Sequence, residues 1–156
     1  DTRMSVERQP MTLLLVEDDP GHARLIEKNL RRALVANAII ILDTGQKAVD
    51  FLFGQGADAR LIGNLVVLLD LNLPVLDGYQ VLKRMKADTR TKHIPVVILT
   101  STDDDREIAK CYDLGCNVYV AKPVEYDKFC EAIKKLGLFL EIVQVPTGIP
   151  PPTSSR

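Results

Sequence analysis

The sequence predicts an α/β fold: a five-stranded, doubly wound parallel sheet with five helices, the last one extended. Two observations lead there. Five short runs of Val, Ile and Leu recur along the chain and are apolar on both faces, as strands covered on both sides must be. Between them lie segments with helical periodicity and their own start signals, and strands that alternate with helices imply βαβ crossovers.

Taken in order, residues 1–10 (DTRMSVERQP) are polar and aperiodic and read as a flexible N-terminal segment. Strands are expected at 11–16, 38–42, 65–69, 96–99 and 117–120. Asp19 with Pro20 opens a helix over 21–34, and Asp43 or Thr44 opens one over 46–53. Asp77 precedes a helix over 79–87, and Thr102 or Asp103 one over 104–114. A last helical pattern runs over 126–143, weakened by Gly137. The domain is expected to span 11–143, with a Pro/Ser/Thr-rich flexible tail over 144–156.

Composition narrows the function. A formal net charge of −1 provides no cationic surface for nucleic acid. Hydrophobic residues make up 46% of the chain, yet no apolar run reaches the ~18–20 residues needed to cross a bilayer. Cys111, Cys116 and Cys130 are scattered, lack metal-ligand spacing and read as small buried hydrophobes of a reduced, cytoplasmic protein.

An open parallel sheet binds its ligand beyond the carboxyl ends of its strands, so the residue at each strand exit matters. Strand 1 exits into Glu17-Asp18-Asp19, strand 3 into Asp70, strand 4 into Thr100-Ser101 and strand 5 into Lys122-Pro123. Each piece alone has an ordinary reading, as a helix cap or as surface chemistry. Together, Glu17, Asp18 and Asp70 crowd like charges that raise one another's pKa or demand a cation. A hard divalent ion such as Mg²⁺ relieves that repulsion and screens an incoming phosphoryl group. Lys122 adds a compact positive charge and Thr100 a hydroxyl donor. His22, in the first turn of the first helix, falls near this edge and can touch it. His93 precedes strand 4 and reads as structural.

At these residues the chain resembles the receiver domains of two-component response regulators. The matching stretches are LLLVEDDP (13–20), LLDLNLPVLDG (68–78), VVILTS (96–101) and VYVAKP (118–123). The resemblance implies a flavodoxin-like strand order, 2-1-3-4-5, and makes Asp70 the phosphoacceptor. It implies Mg²⁺, with Mn²⁺ as a substitute, held by the carboxylates of Asp18 and Asp70 and the backbone carbonyl of Asn72, with Glu17 reaching it through water. It gives Lys122 and Thr100 to the phosphoryl group, makes Thr100 and Tyr119 a switch pair, and allows a cis peptide before Pro123. The stretches TKHIPVVILTS and YDLGCNVYVAKPV, with the apolar C-terminal extension, are similar to small response regulators paired with phytochrome-type histidine kinases.

The implied activity is phosphoryl transfer from a kinase phosphohistidine to Asp70, read out by a surface change, in a signalling protein rather than an enzyme acting on other substrates. Residues 123–156 are too few for a DNA-binding output domain, so output is expected through protein contact. Phe129, Ile133 and Leu136 repeat on one helical stripe that faces the core. Beyond them Leu138, Phe139, Leu140, Ile142 and Val143 are apolar around most of the helix, and are expected to form a homodimer interface or a kinase-docking surface. Two other readings are weaker. A haloacid-dehalogenase-type phosphatase would need a second Asp where Asn72 stands, and a phosphorylation-independent receiver-like module would be expected to have lost one of the acidic or lysine positions.

Overall fold

A computed structural model describes residues 11–32, 37–101, 104–123 and 125–135. The strands are β1 (Thr12–Val16), β2 (Ile39–Leu42), β3 (Leu65–Asp70), β4 (Val96–Thr100) and β5 (Val118–Ala121). The helices are α1 (Pro20–Arg32), α2 (Gly45–Phe53), α3 (Ala59–Ile62), α4 (Gly78–Ala87), α5 (Asp105–Asp113) and α6 (Tyr126–Lys135). All strands pair in parallel in the order β2-β1-β3-β4-β5, which is the order the resemblance implies.

Side chains alternate across a strand, so each strand feeds two cores. Leu13 and Leu15 of β1, with Val66 and Leu68 of β3, face one side, where Ile26 and Leu30 of α1 and Phe129 of α6 cover them. Leu14 and Val16, with Val67 and Leu69, face the other side, under Leu52 of α2, Leu82 and Met85 of α4 and Cys111 of α5. Burial on both faces is why β1, β3 and β4 read as unbroken apolar runs: every residue of the three is buried. The edge strand β2 is less covered, and Ile41 is 38% exposed.

Helix starts follow local chemistry. Asp19 Oδ1 accepts from the Gly21 and His22 N–H groups at 2.8 and 3.1 Å and caps α1. Of the two candidates before α2, Thr44 is the cap, its Oγ1 accepting from Lys47 N. Asp77 and Gln80 form a reciprocal capping box at α4. The cap of α5 is Asp104, not the expected Thr102 or Asp103. In a run of three acids at 103–105 any could serve, and Asp104 Oδ1 is the one that accepts from Arg106 N. The short α3 was not expected. It is too short for a hydrophobic period, although Asp58 Oδ1 accepts from Leu61 N at its start.

The loop after β3 is tightly drawn. Leu73 N donates to Leu71 O, Leu76 N to Pro74 O and Gly78 N to Leu71 O, at 3.1, 2.7 and 3.0 Å. Gly78 is required there, because a Cβ would collide with the backbone carbonyl of Asp70. Within this loop Val75 holds φ at 66° with its side chain fully exposed, an uncommon conformation for a β-branched residue. Phe129 is buried on α6 as expected. Leu136, Gly137, Leu138, Phe139, Leu140, Ile142 and Val143 lie outside the described residues, and the Ile133 side chain is not described.

Candidate functional site

The strand order reverses direction at β1, so a crevice opens where the chains leave β1 and β3. Val16 pairs with Leu69, which sets Glu17, one residue on, beside Asp70. Asp70 pairs with Leu99 and Thr100 with Ala121, so Thr100 and Lys122 follow at the same edge. Parallel register alone therefore collects side chains from four strands.

Carboxylate oxygens of Glu17, Asp18 and Asp70 lie within 4.8 Å of one another. Glu17 and Asp70 are buried, 1% and 3% exposed, whereas Asp18 faces solvent. Lys122 reaches in from the end of β5, with Nζ 2.6 Å from Glu17 Oε1 and 3.2 Å from Asp70 Oδ2. The Lys122–Pro123 peptide is cis, as the resemblance allowed. Asp70 Oδ1 accepts from Asn72 N at 3.3 Å, and Glu17 Oε2 from Asp19 N at 3.1 Å. Despite the close ammonium, buried Glu17 Oε1 receives no aligned hydrogen bond.

The electrostatics follow from burial. Desolvation pushes the Glu17 carboxyl above its ordinary range; the negative charge of Asp70 adds to this, and contacts with Lys122 and the Asp19 N–H oppose it. Burial by itself would lower the Lys122 ammonium, but its close contact with Glu17 and the charges of Asp70 and Glu17 hold it above its usual value. One ammonium thus contacts two of the three clustered carboxylates. Three oxygens in reach of one point, one of them buried without an aligned donor, are a donor set that suits a hard divalent cation.

Thr100 is buried at the end of β4, and its carbonyl accepts the Lys122 N–H at 2.9 Å. Tyr119 is half-buried on β5, its ring edge-on to Tyr112 with centroids 6.2 Å apart. His22, more than half exposed in the first turn of α1, brings Nδ1 to 3.4 Å from Lys122 Nζ. Beside it a cleft of about 230 Å³ is lined by His22, Leu25, Ile26, Ser101, Lys122 and Pro123. The contact that sequence reasoning did not specify is this His22–Lys122 pair, one hundred residues apart in sequence. Only the first-turn placement of His22 signalled it.

A doubly wound parallel sheet with this acidic pocket at its reversal point and a lysine on its last strand is the architecture of a signalling receiver. Residues 13–134 match the response regulator receiver domain family, and the chain belongs to that family. It is 34% identical over 140 residues to response regulator Rcp1 of Synechocystis sp., covering 89% of this chain and 95% of that one. The Mn²⁺-bound form of Rcp1 superimposes with a TM-score of 0.67 over 88% of this chain and 99% of that one. A receiver domain from Rhodospirillum rubrum is 53% identical, with a TM-score of 0.70 over 87% of this chain and 97% of that chain. The bacteriophytochrome response regulator AtBRR is 35% identical, with a TM-score of 0.75 over 91% of this chain and all of that one. Receiver domains partner with histidine kinases and bind a divalent metal ion, and the acidic cluster here is compatible with such an ion. Among the described residues no helix is long and apolar enough to cross a membrane.

Proposed function

We propose that Asp70 accepts a phosphoryl group from a phosphohistidine of a histidine kinase. The observation that carries this reading is the pocket itself, in which Asp70 lies 3.2 Å from the Lys122 ammonium and within 4.8 Å of two further carboxylates. A carboxylate oxygen of Asp70 attacks phosphorus in line as the phosphorus–nitrogen bond breaks, giving an acyl phosphate and a free imidazole. Glu17, Asp18 and Asp70, with the Asn72 carbonyl, would hold Mg²⁺, or Mn²⁺ in its place. That ion supplies charge neutralisation at the phosphoryl oxygens. Lys122 binds one phosphoryl oxygen as a point charge, and Thr100 donates its hydroxyl to another. Most of the catalysis is positioning, which a rigid parallel sheet provides.

The phosphoryl group then biases two states of the surface. Moving them from 1:99 to 99:1 takes ~5.5 kcal/mol of differential interaction. Charge-assisted hydrogen bonds at Lys122 and Thr100, at about 1.5–3 kcal/mol each, supply much of it. Tyr119, on β5 with its ring edge-on to Tyr112 of α5, follows the Thr100 hydroxyl inward as the second half of the switch.

Likeness to Rcp1 and to a bacteriophytochrome response regulator supports a phytochrome-type kinase as the donor and a cytoplasmic setting. The receiver unit is taken as 11–143; the segments expected at 1–10 and 144–156 lie outside the described residues. The apolar residues Leu138, Phe139, Leu140, Ile142 and Val143 support a homodimer interface; Leu138→Ser with Phe139→Ser should halve the mass measured by light scattering. For the acceptor, wild-type protein with acetyl phosphate and Mg²⁺ should gain one hydroxylamine-labile phosphate, and Asp70→Asn none. Label on Asp70→Asn would overturn the assignment.

A further inference from the structure

Lys122 has three ammonium N–H donors and no acceptor. Three atoms surround its Nζ: Glu17 Oε1 at 2.6 Å, Asp70 Oδ2 at 3.2 Å and His22 Nδ1 at 3.4 Å. An ammonium can only donate, so His22 Nδ1 must be the acceptor and the imidazole carries its proton on Nε2. The carboxylates of Glu17 and Asp19, at 3.8 and 4.0 Å from Nδ1, are beyond hydrogen-bond range and do not compete for that nitrogen. The ring is carried on a fixed stem, since the His22 backbone N–H is tied to the Asp19 cap at 3.1 Å.

From this geometry we infer that His22 is a positioning residue for Lys122, holding the ammonium at the mouth of the pocket by its Nδ1. The inference rests on Asp70 being the acceptor and Lys122 its phosphoryl contact. Glu17 and Asp70 are also candidate cation ligands, and an oxygen committed to a cation is a weaker acceptor for an ammonium. His22 is the partner outside that set among the described residues within 3.4 Å of Nζ, so its hold persists when the carboxylates are engaged. The cleft that His22 and Lys122 line together is otherwise walled by Leu25, Ile26 and Pro123, with Ser101 as its other uncharged polar side chain. Without Nδ1 the ammonium keeps only Glu17 and Asp70 as close partners, and competes more strongly there for the oxygens a cation needs.

The test compares wild type, His22→Leu, His22→Asn and Asp70→Asn as full chains. Asn places a side-chain oxygen about where Nδ1 sits, so it should rescue what Leu loses. Two readouts separate positioning from mere packing: Mg²⁺ affinity of the unphosphorylated protein by calorimetry, and the rate of labelling by acetyl phosphate at saturating Mg²⁺. His22→Leu should bind Mg²⁺ about threefold more weakly and label roughly threefold to tenfold more slowly, with His22→Asn within about twofold of wild type on both. The His22 side chain is 55% exposed, so both variants should fold. Equal affinity and rate for His22→Leu and wild type would overturn the inference, as would His22→Asn no better than His22→Leu. A wild type that takes no label, or an Asp70→Asn that does, removes the acceptor reading instead, while the calorimetry still reports on the His22–Lys122 contact.

Discussion

Asp18→Asn should stabilise the protein without metal and weaken it with metal. Its carboxylate shares a space with those of Glu17 and Asp70 in which all three oxygens lie within 4.8 Å. At that separation a like-charge pair costs ~0.9 kcal/mol in a water-like dielectric and ~3.5 kcal/mol at an effective dielectric of 20. Asp18 faces solvent, so the lower figure applies, and its two pairs sum to ~1.7 kcal/mol. Attraction to the Lys122 ammonium offsets part of this, leaving about 1 kcal/mol, or ~2–4 °C in Tm for a chain of this size. In EDTA, Asp18→Asn should therefore melt ~2–4 °C above wild type. With Mg²⁺ at one hundred times Kd, wild type should gain ~2.7 kcal/mol, roughly 5–10 °C, while the variant lacks a charged ligand and gains little. The order of melting temperatures thus reverses between two thermal-shift buffers. A variant that melts below wild type in EDTA, or keeps the whole Mg²⁺ shift, would refute the claim that these carboxylates repel one another and share a cation.

Burial raises Glu17 above its ordinary 4.5, so its protonated form is favoured in the fold; metal-free stability attributable to it is greatest at low pH and falls as pH climbs from 4.5 through its raised value. The urea midpoint of Glu17→Gln relative to wild type should accordingly grow with pH in EDTA, and a difference that stays flat from pH 4 to 8 would count against the buried charge. Gly78→Ala should cost ~2 kcal/mol or more by urea denaturation and slow phosphorylation of Asp70, because its Cβ meets the Asp70 carbonyl; a variant of wild-type stability would show that the loop yields. Cys116 is pushed up to about 12 by burial and Cys111 is also raised, by burial first, so iodoacetamide at pH 8 should label the half-buried Cys130 well before either; early alkylation of Cys116 would contradict the core packing.

How much was legible depended on whether a feature is set by strand exits or by side-chain poses. The edge shared by Glu17, Asp18, Asp70, Thr100 and Lys122 follows from parallel register, which sequence reveals as apolar runs ending in polar residues. The helix caps at Asp19 and Asp77 were legible because each stands directly before a helical period, Asp19 with Pro20 behind it. The acids at 103–105 offered several caps, and only geometry singles out Asp104. The helix Ala59–Ile62 was hidden because one turn carries no period. Nothing in the composition of the loop marked Val75 as left-handed, and the His22–Lys122 contact needs rotamers that no spacing encodes.

The cinched loop behind Asp70 has a directional consequence. Its backbone is hooked to Leu71, and Gly78 presses against the Asp70 carbonyl with no room for even a methyl group. That wall of the crevice is an anvil. On the proposed acceptor reading, a bulky anion added to Asp70 would find little room on the side of α4 and would press the other way, toward β4 and β5, where Tyr119 is only half covered. The asymmetry of the pocket, one bank closed by backbone and the other only half covered at Tyr119, would then set which face of the molecule a partner reads.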